Sequence, residues 1–193
     1  MDIILKRSIE WLDRLIAFDT TSRLSNLDLI SDIEKYMKEL GVPTRLTHDK
    51  DKTKANLWCT IGPQDIGGVV LSGHTDVVPI DGQEWTKTPF RMSEESGKLF
   101  GRGTSDMKGF CAIALAMAPE MKSRDLKVPV HFAFSFDEEV GCVGVRHLIK
   151  DVVDNLPLPR AVIVGEPTSM KIVGGNKGGR CLLYTSPSPR DEI

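Results

Sequence analysis

The sequence lacks any long apolar run, since no segment approaches the ~20 consecutive apolar residues that a membrane-spanning helix needs. Residues 1–11 alternate charged and apolar side chains, unlike the apolar block of a signal peptide. Basic clusters are also missing, because the 25 Lys and Arg are interspersed with 27 Asp and Glu. These absences argue against a membrane or nucleic-acid partner, and they favour a cytoplasmic protein that acts on a small molecule.

Cysteine is sparse, and no two cysteines form a CxxC pair. The four cysteines are Cys59, Cys111, Cys142 and Cys181. Without a thiolate cluster a closed zinc finger is not indicated, and the scattered positions favour structural or incidental thiols in a reducing compartment. The remaining composition, 40% hydrophobic and 27% charged over 193 residues, is typical of one soluble globular domain.

The hydrophobic pattern alternates between helical and extended segments. Apolar residues at helical spacing predict helices at 4–18, 27–40, 107–121 and 143–153. Modest strands are predicted at 44–46 and 56–61. Nearly continuous apolar runs predict strands covered on both faces at 69–71, 128–136 and 161–164. This alternation predicts an α/β fold with a largely parallel sheet.

Acidic side chains and one histidine follow the three apolar strands. His74 and Asp76 come after the first of them, Glu138 and Glu139 after the second, and Glu166 after the third. In open α/β sheets the functional site lies beyond the carboxyl ends of the strands. We therefore expect these side chains to meet at one edge of the sheet.

The chemistry of this group predicts a metal site. With Asp106 from a glycine-rich turn, the acids would repel one another in a partly dry cleft, and bound cations compensate most simply. Mixed nitrogen and oxygen ligands suit zinc, with cobalt or manganese as alternatives. Asp76 lies on the same side of an extended strand as His74 and can hold the imidazole in its ligating tautomer. Glu138 and Glu139 divide between a metal ligand and a general base.

Each feature has an ordinary alternative when taken alone. A His-x-Asp pair is commonly a strand-end turn, a Glu-Glu pair before a helix is commonly a favourable first-turn charge, and Glu166 could be a solvated loop residue. Arg102 and Lys108 could contact a substrate carboxylate or could balance the nearby acids. The joint occurrence of the acids and His74 at successive strand ends favours the metal site.

Five segments resemble motifs of the M20 metallopeptidase family in matching order. They are residues 71–79, 85–90, 101–109, 137–142 and 164–168. Within that family, the amino-acid sequences of segments 74–83, 103–110 and 137–142 are most similar to those of the acetylornithine deacetylases. The resemblance extends over about residues 1–180 and implies a three-layer, zinc exopeptidase-like catalytic domain.

The resemblance also implies specific roles for the site residues. His74 and Glu166 would bind one of two divalent ions, Zn²⁺ or alternatively Co²⁺, while Glu139 binds the other and Asp106 bridges them. Glu138 would be the general base, Asp76 an orienting residue, and the peptide bond after Asp106 would be cis. The implied reaction removes acetate from N-acetyl-L-ornithine, an N-acyl amino acid, to give L-ornithine in arginine biosynthesis.

Two departures from the family pattern concern the C-terminal side of the chain. The family's second zinc takes a further His from a later part of the catalytic domain, and its dimerisation or lid domain follows the segment equivalent to 176–179. Residues 1–180 are therefore interpreted as a truncated catalytic portion with an incomplete second site, and the Ser-Pro segment 181–193 as a non-native or disordered tail. The homodimer implied by the family would lack its interface domain.

These departures leave several functional alternatives. The chain is expected to be an inactive, aggregation-prone fragment of an acetylornithine deacetylase-type enzyme. Another M20 activity, such as a succinyl-diaminopimelate desuccinylase, a dipeptidase or an aminoacylase, shares the same metal site. A non-catalytic fragment that binds metal weakly is the alternative from a different functional class.

Overall fold

The computed structural model describes residues 2–175, and both Cys181 and the predicted tail at 181–193 lie outside them. The helices are α1 Ile3–Ile16, α2 Leu27–Glu39, α3 Lys108–Lys122 and α4 Val143–Asn155. The strands are β1 Thr44–His48, β2 Ala55–Ile61, β3 Val69–His74, β4 Ser93–Glu95, β5 Lys98–Phe100, β6 Val130–Ser135 and β7 Ala161–Val164. None of the helices within 2–175 has the length and apolar character required to cross a bilayer.

The main sheet has five strands in the order β1-β2-β6-β3-β7. Strands β6, β3 and β7 run parallel, whereas β1 and β2 are antiparallel additions next to β6. Helices α1, α2 and α3 form one layer of the core, and α4 packs on the opposite face of the sheet. The predicted α/β fold with a sheet between two helical layers is confirmed, and its parallel strands are those that carry the site.

The core forms where the apolar stripes of the helices meet the central strands. Asp2 is the N-cap of α1, and its carboxylate accepts a hydrogen bond from the backbone N–H of Ile4. The buried stripe of α1 includes Leu15. This stripe packs against the Ala-rich helix α3, where small side chains allow close approach. Strands β2 and β6, which are almost completely buried, occupy the centre of the sheet.

A short hairpin, β4–β5, was not anticipated from the hydrophobic pattern. Its two residues at the tip, Ser96 and Gly97, both have positive φ values of 52° and 73°. Two successive positive φ values define the tight turn whose twist matches that of a two-stranded hairpin. The strands are only three residues long and mostly exposed, so they leave no apolar periodicity in the sequence.

Strand β7 corrects the expectation that 161–164 is covered on both faces. All four residues are exposed, with Val162 at 55%, Ile163 at 51% and Val164 at 58%. The strand lies at the sheet edge, and its partner within the described part of the chain is β3. The apolar run correctly predicts a strand, but composition does not reveal which elements cover it.

Replacing Ile163 with lysine is expected to slow self-association of the chain. A charged side chain on an edge strand opposes pairing with the edge of another molecule and interrupts an exposed apolar patch. Time-resolved light scattering at matched concentration measures the effect. Thr86→Lys, which adds the same charge at an exposed position away from β7, is the control. Equal slowing by both variants would contradict a specific role for β7.

An ion pair joins helix α4 to the edge strand β1 of the main sheet. Asp151 on α4 accepts hydrogen bonds from Arg45 Nε and Nη2 on β1, each at 2.5 Å, and from Thr47 Oγ1 at 2.9 Å. The hydrogen bond to Arg45 is the main cause that lowers the pKa of Asp151 to about 2. The pair is therefore charged across the neutral and mildly acidic range.

Replacing Asp151 with asparagine is expected to lower the free energy of unfolding at pH 7 by about 1 kcal/mol, because water screens the half-exposed Arg45. The carboxylate's contribution is present above its unfolded pKa, near 4, and disappears as the pH falls through about 2. Urea unfolding at pH 7 and pH 2 should show a much smaller difference at pH 2 than at pH 7. Asp154→Asn, which removes the exposed partner of Lys150, is the matched control.

Candidate metal centre

The parallel strands bring the predicted site residues to one edge of the sheet. His74 is the last residue of β3 and pairs in register with Ser135, just before Glu138 and Glu139. Ser72 on β3 pairs with Val164 on β7, which places Glu166 level with His74. The strand-end placement expected from the sequence is therefore what the register produces.

Asp106 reaches the same place from the turn that precedes α3. The peptide bond between Asp106 and Met107 is cis, as the family resemblance implies. Nε2 of His74 lies 3.1 Å from Asp106 Oδ1, 3.8 Å from Glu138 Oε2 and 3.7 Å from Glu166 Oε1.

Two overlapping groups of side chains have the spacing of cation ligands. One contains His74, Asp106 and Glu139, and the other contains His74, Glu138 and Glu166; within each group the donor atoms lie within 4.8 Å of one another. The imidazole is 1% exposed, whereas the side chain of Asp106 is 50% exposed. The cluster therefore has a buried floor and a mouth open to solvent.

The imidazole of His74 has a defined orientation. Its Nδ1 lies 2.9 Å from the backbone carbonyl of Asp76, which can only accept a hydrogen bond, so Nδ1 carries a proton and Nε2 faces the acids. Burial lowers the pKa of His74, but the hydrogen bond and charge of Asp76, with a contribution from Glu166, outweigh it and raise the pKa to about 9. In the metal-free protein the acids therefore hold an imidazolium.

The acids around this imidazole destabilise one another's charges. Burial, assisted by the charge of Asp106, raises the pKa of Glu139. Burial also raises the pKa of Glu166, with Asp106 and Glu138 adding to the effect. A cluster that retains a proton on His74 and resists ionisation of its carboxylates favours added positive charge. One imidazole nitrogen and several carboxylate oxygens fit a divalent ion such as Zn²⁺.

Asp76 supports this cluster from below. It is 2% exposed, accepts a hydrogen bond from Ser22 Oγ at 2.7 Å, and accepts the backbone N–H groups of Glu138 at 3.0 Å and Glu139 at 3.2 Å. Burial raises the pKa of Asp76, but its hydrogen bonds to His74 and Ser22 outweigh that effect and lower it. Asp76 thus contacts both the imidazole and the turn that carries two of the acids.

The carboxylate of Glu138 has two different environments. Oε2 faces the imidazole of His74, whereas Oε1 accepts a weak hydrogen bond from Cys142 Sγ at 3.3 Å. Cys142 is the N-cap of α4 and has a left-handed backbone conformation, with φ 54°. The exposed thiol, read from sequence as incidental, therefore contacts a candidate catalytic side chain.

Lys54 contacts the segment that carries Glu138 and Glu139, and the sequence did not predict this contact. Its Nζ donates to Asp137 Oδ1 and to the backbone carbonyl of Ser22, each at 2.5 Å. Lys54 lies in a stretch rich in exposed lysines, and no feature of the sequence distinguishes it from Lys50 or Lys52.

Asparagine 56 is a second missed residue, and here the sequence contained a signal. Its Nδ2 donates to Gly144 O at 2.9 Å and its Oδ1 accepts from Phe136 N at 3.2 Å, so it joins the two ends of the acidic segment. Asn56 is fully buried. A buried amide in an otherwise apolar strand needs hydrogen-bond partners, and that requirement could have identified it.

Lys108 does not face the substrate side of the site. It is 1% exposed and donates to the carbonyl oxygens of Leu15 at 3.0 Å and Phe18 at 2.8 Å, at the carboxyl end of α1. Burial lowers its pKa to about 8. Of the two alternatives for Lys108, substrate contact is wrong. Arg102 instead lies on the surface side, 5.0 Å from the ring centroid of Trp85.

Comparison with known proteins agrees with this geometry. A model described as peptidase family M20/M25/M40 matches residues 70–176, more than half of the chain. Acetylornithine deacetylase of Shigella sonnei (strain Ss046) is 38% identical over 155 residues, which cover 80% of this chain and 39% of that protein. The chain thus spans about two fifths of the length of this curated relative.

Solved structures show the same fold. Human carnosine dipeptidase 1 superposes with a TM-score of 0.68 at 23% identity, covering 83% of this chain and 39% of that one. The M20 metallo-carboxypeptidase Sso-CP2 of Sulfolobus solfataricus gives 0.65 at 26% identity, with coverages of 86% and 37%. YXEP of Bacillus subtilis, described as a dinuclear metal binding peptidase of the M20 family, gives 0.57 at 23% identity, with coverages of 83% and 42%.

Proposed function

Because the chain belongs to peptidase family M20/M25/M40, we propose that it supplies most of the metal centre of an enzyme that hydrolyses the amide bond of N-acetyl-L-ornithine. The observation that carries the proposal is the convergence of one buried imidazole and three carboxylates at the ends of parallel strands with a fourth carboxylate, Asp106, from the turn before α3. The 38% identity to an acetylornithine deacetylase supports the choice of substrate. The products would be acetate and L-ornithine, which places the reaction in arginine biosynthesis.

The residue roles follow the proposal made from sequence. His74 and Glu166 would hold one divalent ion and Glu139 would hold the other, with Asp106 as a further ligand. When bound, such a pair of ions polarises the scissile carbonyl and increases the acidity of water. Zn²⁺ is the proposed ion, with Co²⁺ as the alternative, because nitrogen and oxygen donors of this kind accept both.

Glu138 is the proposed general base. Its Oε1 is directed to Cys142, which leaves Oε2 directed toward the cluster. The carboxylate takes a proton from the attacking water and then transfers it to the amide nitrogen as the carbon–nitrogen bond breaks. Asp76 stays charged below the site, where its backbone carbonyl orients the imidazole of His74 and its carboxylate holds the backbone of the turn.

The substrate assignment is tested with a form of the protein extended to the length of its relatives. We expect it to release acetate from N-acetyl-L-ornithine after addition of zinc and to lose that activity on chelation. Release of succinate from N-succinyl-diaminopimelate without hydrolysis of N-acetyl-L-ornithine would contradict the assignment. Hydrolysis of dipeptides alone would contradict it equally.

The 193-residue chain itself is proposed to be inactive. The family's second ion takes a further His from a later part of the catalytic domain, and the chain covers 39% of its curated relative. One tight and one weak zinc site are therefore expected in a titration of the chain. Two tight sites together with measurable hydrolysis would contradict this proposal. A homodimer of the extended protein is proposed on the resemblance alone.

Zinc binding by the chain is expected to strengthen as the pH rises toward about 9, because the ion must displace the proton from His74. Below that pKa one proton leaves per ion bound, so the apparent affinity should rise about tenfold per pH unit and then level off. Calorimetric titrations in several buffers measure both the affinity and the proton release. His48→Gln, at an exposed histidine, should keep this coupling, whereas an affinity independent of pH would contradict it.

A further inference from the structure

Residues 137–142 between β6 and α4 form a segment that we call the acidic turn. It carries both Glu138 and Glu139, and three side chains from elsewhere in the chain hold it. Asp76 accepts its backbone N–H groups, Asn56 joins its two ends, and Lys54 contacts its first residue. Lys54 and Asn56 lie outside the set of residues already assigned to the reaction, and of these two Lys54 is the one that forms an ion pair.

The contacts of Lys54 link the acidic turn to the support of the imidazole. The ion pair between Lys54 and Asp137 has both side chains only 15% exposed. The same ammonium group donates to the carbonyl of Ser22, whose hydroxyl donates to Asp76. A continuous set of polar contacts therefore runs from Asp137 through Lys54 and Ser22 to Asp76.

The backbone of Asp137 explains why this anchor is needed. Its φ of 53° lies in the left-handed region, which residues other than glycine adopt at a cost in conformational energy. The ion pair with Lys54 forms in this conformation and offsets part of that cost. The conformation of Asp137 sets the direction in which the chain continues into Glu138 and Glu139.

We propose that Lys54 is a positioning residue that fixes the acidic turn through Asp137, so that Glu138 and Glu139 are aligned with His74 before any ion binds. The inference rests on the proposed function for the role of these acids. It extends that function to a residue whose polar contacts are with Asp137 and Ser22 and not with the acids of the cluster.

A positioning role and a purely electrostatic role of Lys54 predict opposite changes in zinc affinity when the side chain is removed. If Lys54 acted only through its charge, its removal would make the surroundings more negative and would strengthen the binding of a cation. If Lys54 positions the acidic turn, its removal weakens binding because the acids lose their alignment. The sign of the change in zinc affinity therefore separates the two roles.

The experiment measures Zn²⁺ affinity by calorimetry on the purified 193-residue chain and four variants. Lys54→Met should weaken binding by about tenfold, the lower end of the range for residues that orient ligands. Lys54→Met combined with Asp137→Asn keeps the net charge of the parent chain and should weaken binding to a similar extent. Lys54→Arg should restore at least part of the affinity. Lys50→Met, at an exposed lysine nearby, should leave it unchanged.

A second readout is the visible absorption of bound Co²⁺, which reports ligand geometry. We expect Lys54→Met and the double variant to shift this spectrum and Lys50→Met to leave it in place. Unchanged or tighter zinc binding by Lys54→Met, or failure of the parent chain to bind zinc, would overturn the proposal. If Lys54→Met weakens zinc binding as expected but the extended protein hydrolyses none of the amides, the proposed function fails while the role of Lys54 stands.

Discussion

The Glu138→Gln variant of the extended protein is expected to hydrolyse N-acetyl-L-ornithine about 10²–10⁴-fold more slowly, the usual effect of removing a general base. Glutamine preserves the size of the side chain and can still accept the weak hydrogen bond from Cys142. It cannot take a proton from water. The loss should therefore appear in kcat, with KM and zinc stoichiometry close to those of the parent.

The control for this variant is Glu94→Gln, at an exposed glutamate on β4 away from the cluster, which should leave kcat unchanged. The metal measurement matters because Glu138 also belongs to one of the two groups with ligand spacing. If Glu138→Gln loses zinc affinity by more than about tenfold, Glu138 is a ligand and not a base. Full retention of kcat would exclude both roles.

The side chains of the cluster differ in their exposure to solvent. His74 and Asp76 lie at the floor with almost no exposure, whereas the side chains of Glu138 and Glu166 are 36% and 38% exposed. A substrate can approach only from the exposed side. The buried pair therefore forms the floor of the cluster, and the partly exposed acids border the mouth through which a substrate would enter.

The helices, the main strands and the edge that carries the site could be predicted from the sequence. Hydrophobic periodicity specifies which residues must be buried, and the register of parallel strands then brings their carboxyl ends together. His74 and Glu166 are 92 positions apart in the chain, yet the strand-end rule was sufficient to place them side by side. The prediction succeeded because it needed only the order of the strands and their direction.

The supporting residues could not be predicted in the same way. Lys54 is one of several lysines in a polar stretch, and its partners Ser22 and Asp137 lie 32 and 83 residues away. Long-range contacts of single side chains leave no periodic signal. The exposure of β7 was missed for a related reason, since an apolar run does not identify its neighbours.

The Asp76→Asn variant is expected to lower the free energy of unfolding of the metal-free chain by about 2–4 kcal/mol and to weaken zinc binding by about 10–100-fold. The carboxylate accepts three hydrogen bonds, including the N–H groups of Glu138 and Glu139. An asparagine has one acceptor oxygen and one donor NH₂ group. Whichever way it is oriented, one backbone N–H of the turn faces another donor, and the imidazolium of His74 loses its counter-charge.

Urea unfolding of the metal-free chain and zinc calorimetry of the folded chain test both parts of this expectation. Asp81→Asn is the matched control, because Asp81 is 65% exposed and pairs with Arg23 at the surface.

The effects of Asp76→Asn on His74 and on the acidic turn have different pH dependences. The imidazolium of His74 is lost as the pH rises through about 9, so the stability difference due to its counter-charge should be full below about 6.5, shrink as the pH rises toward about 9 and be absent above it. The difference due to the turn hydrogen bonds should remain. A stability loss that vanishes completely above pH 9 would show that Asp76 acts on His74 alone and does not hold the acidic turn.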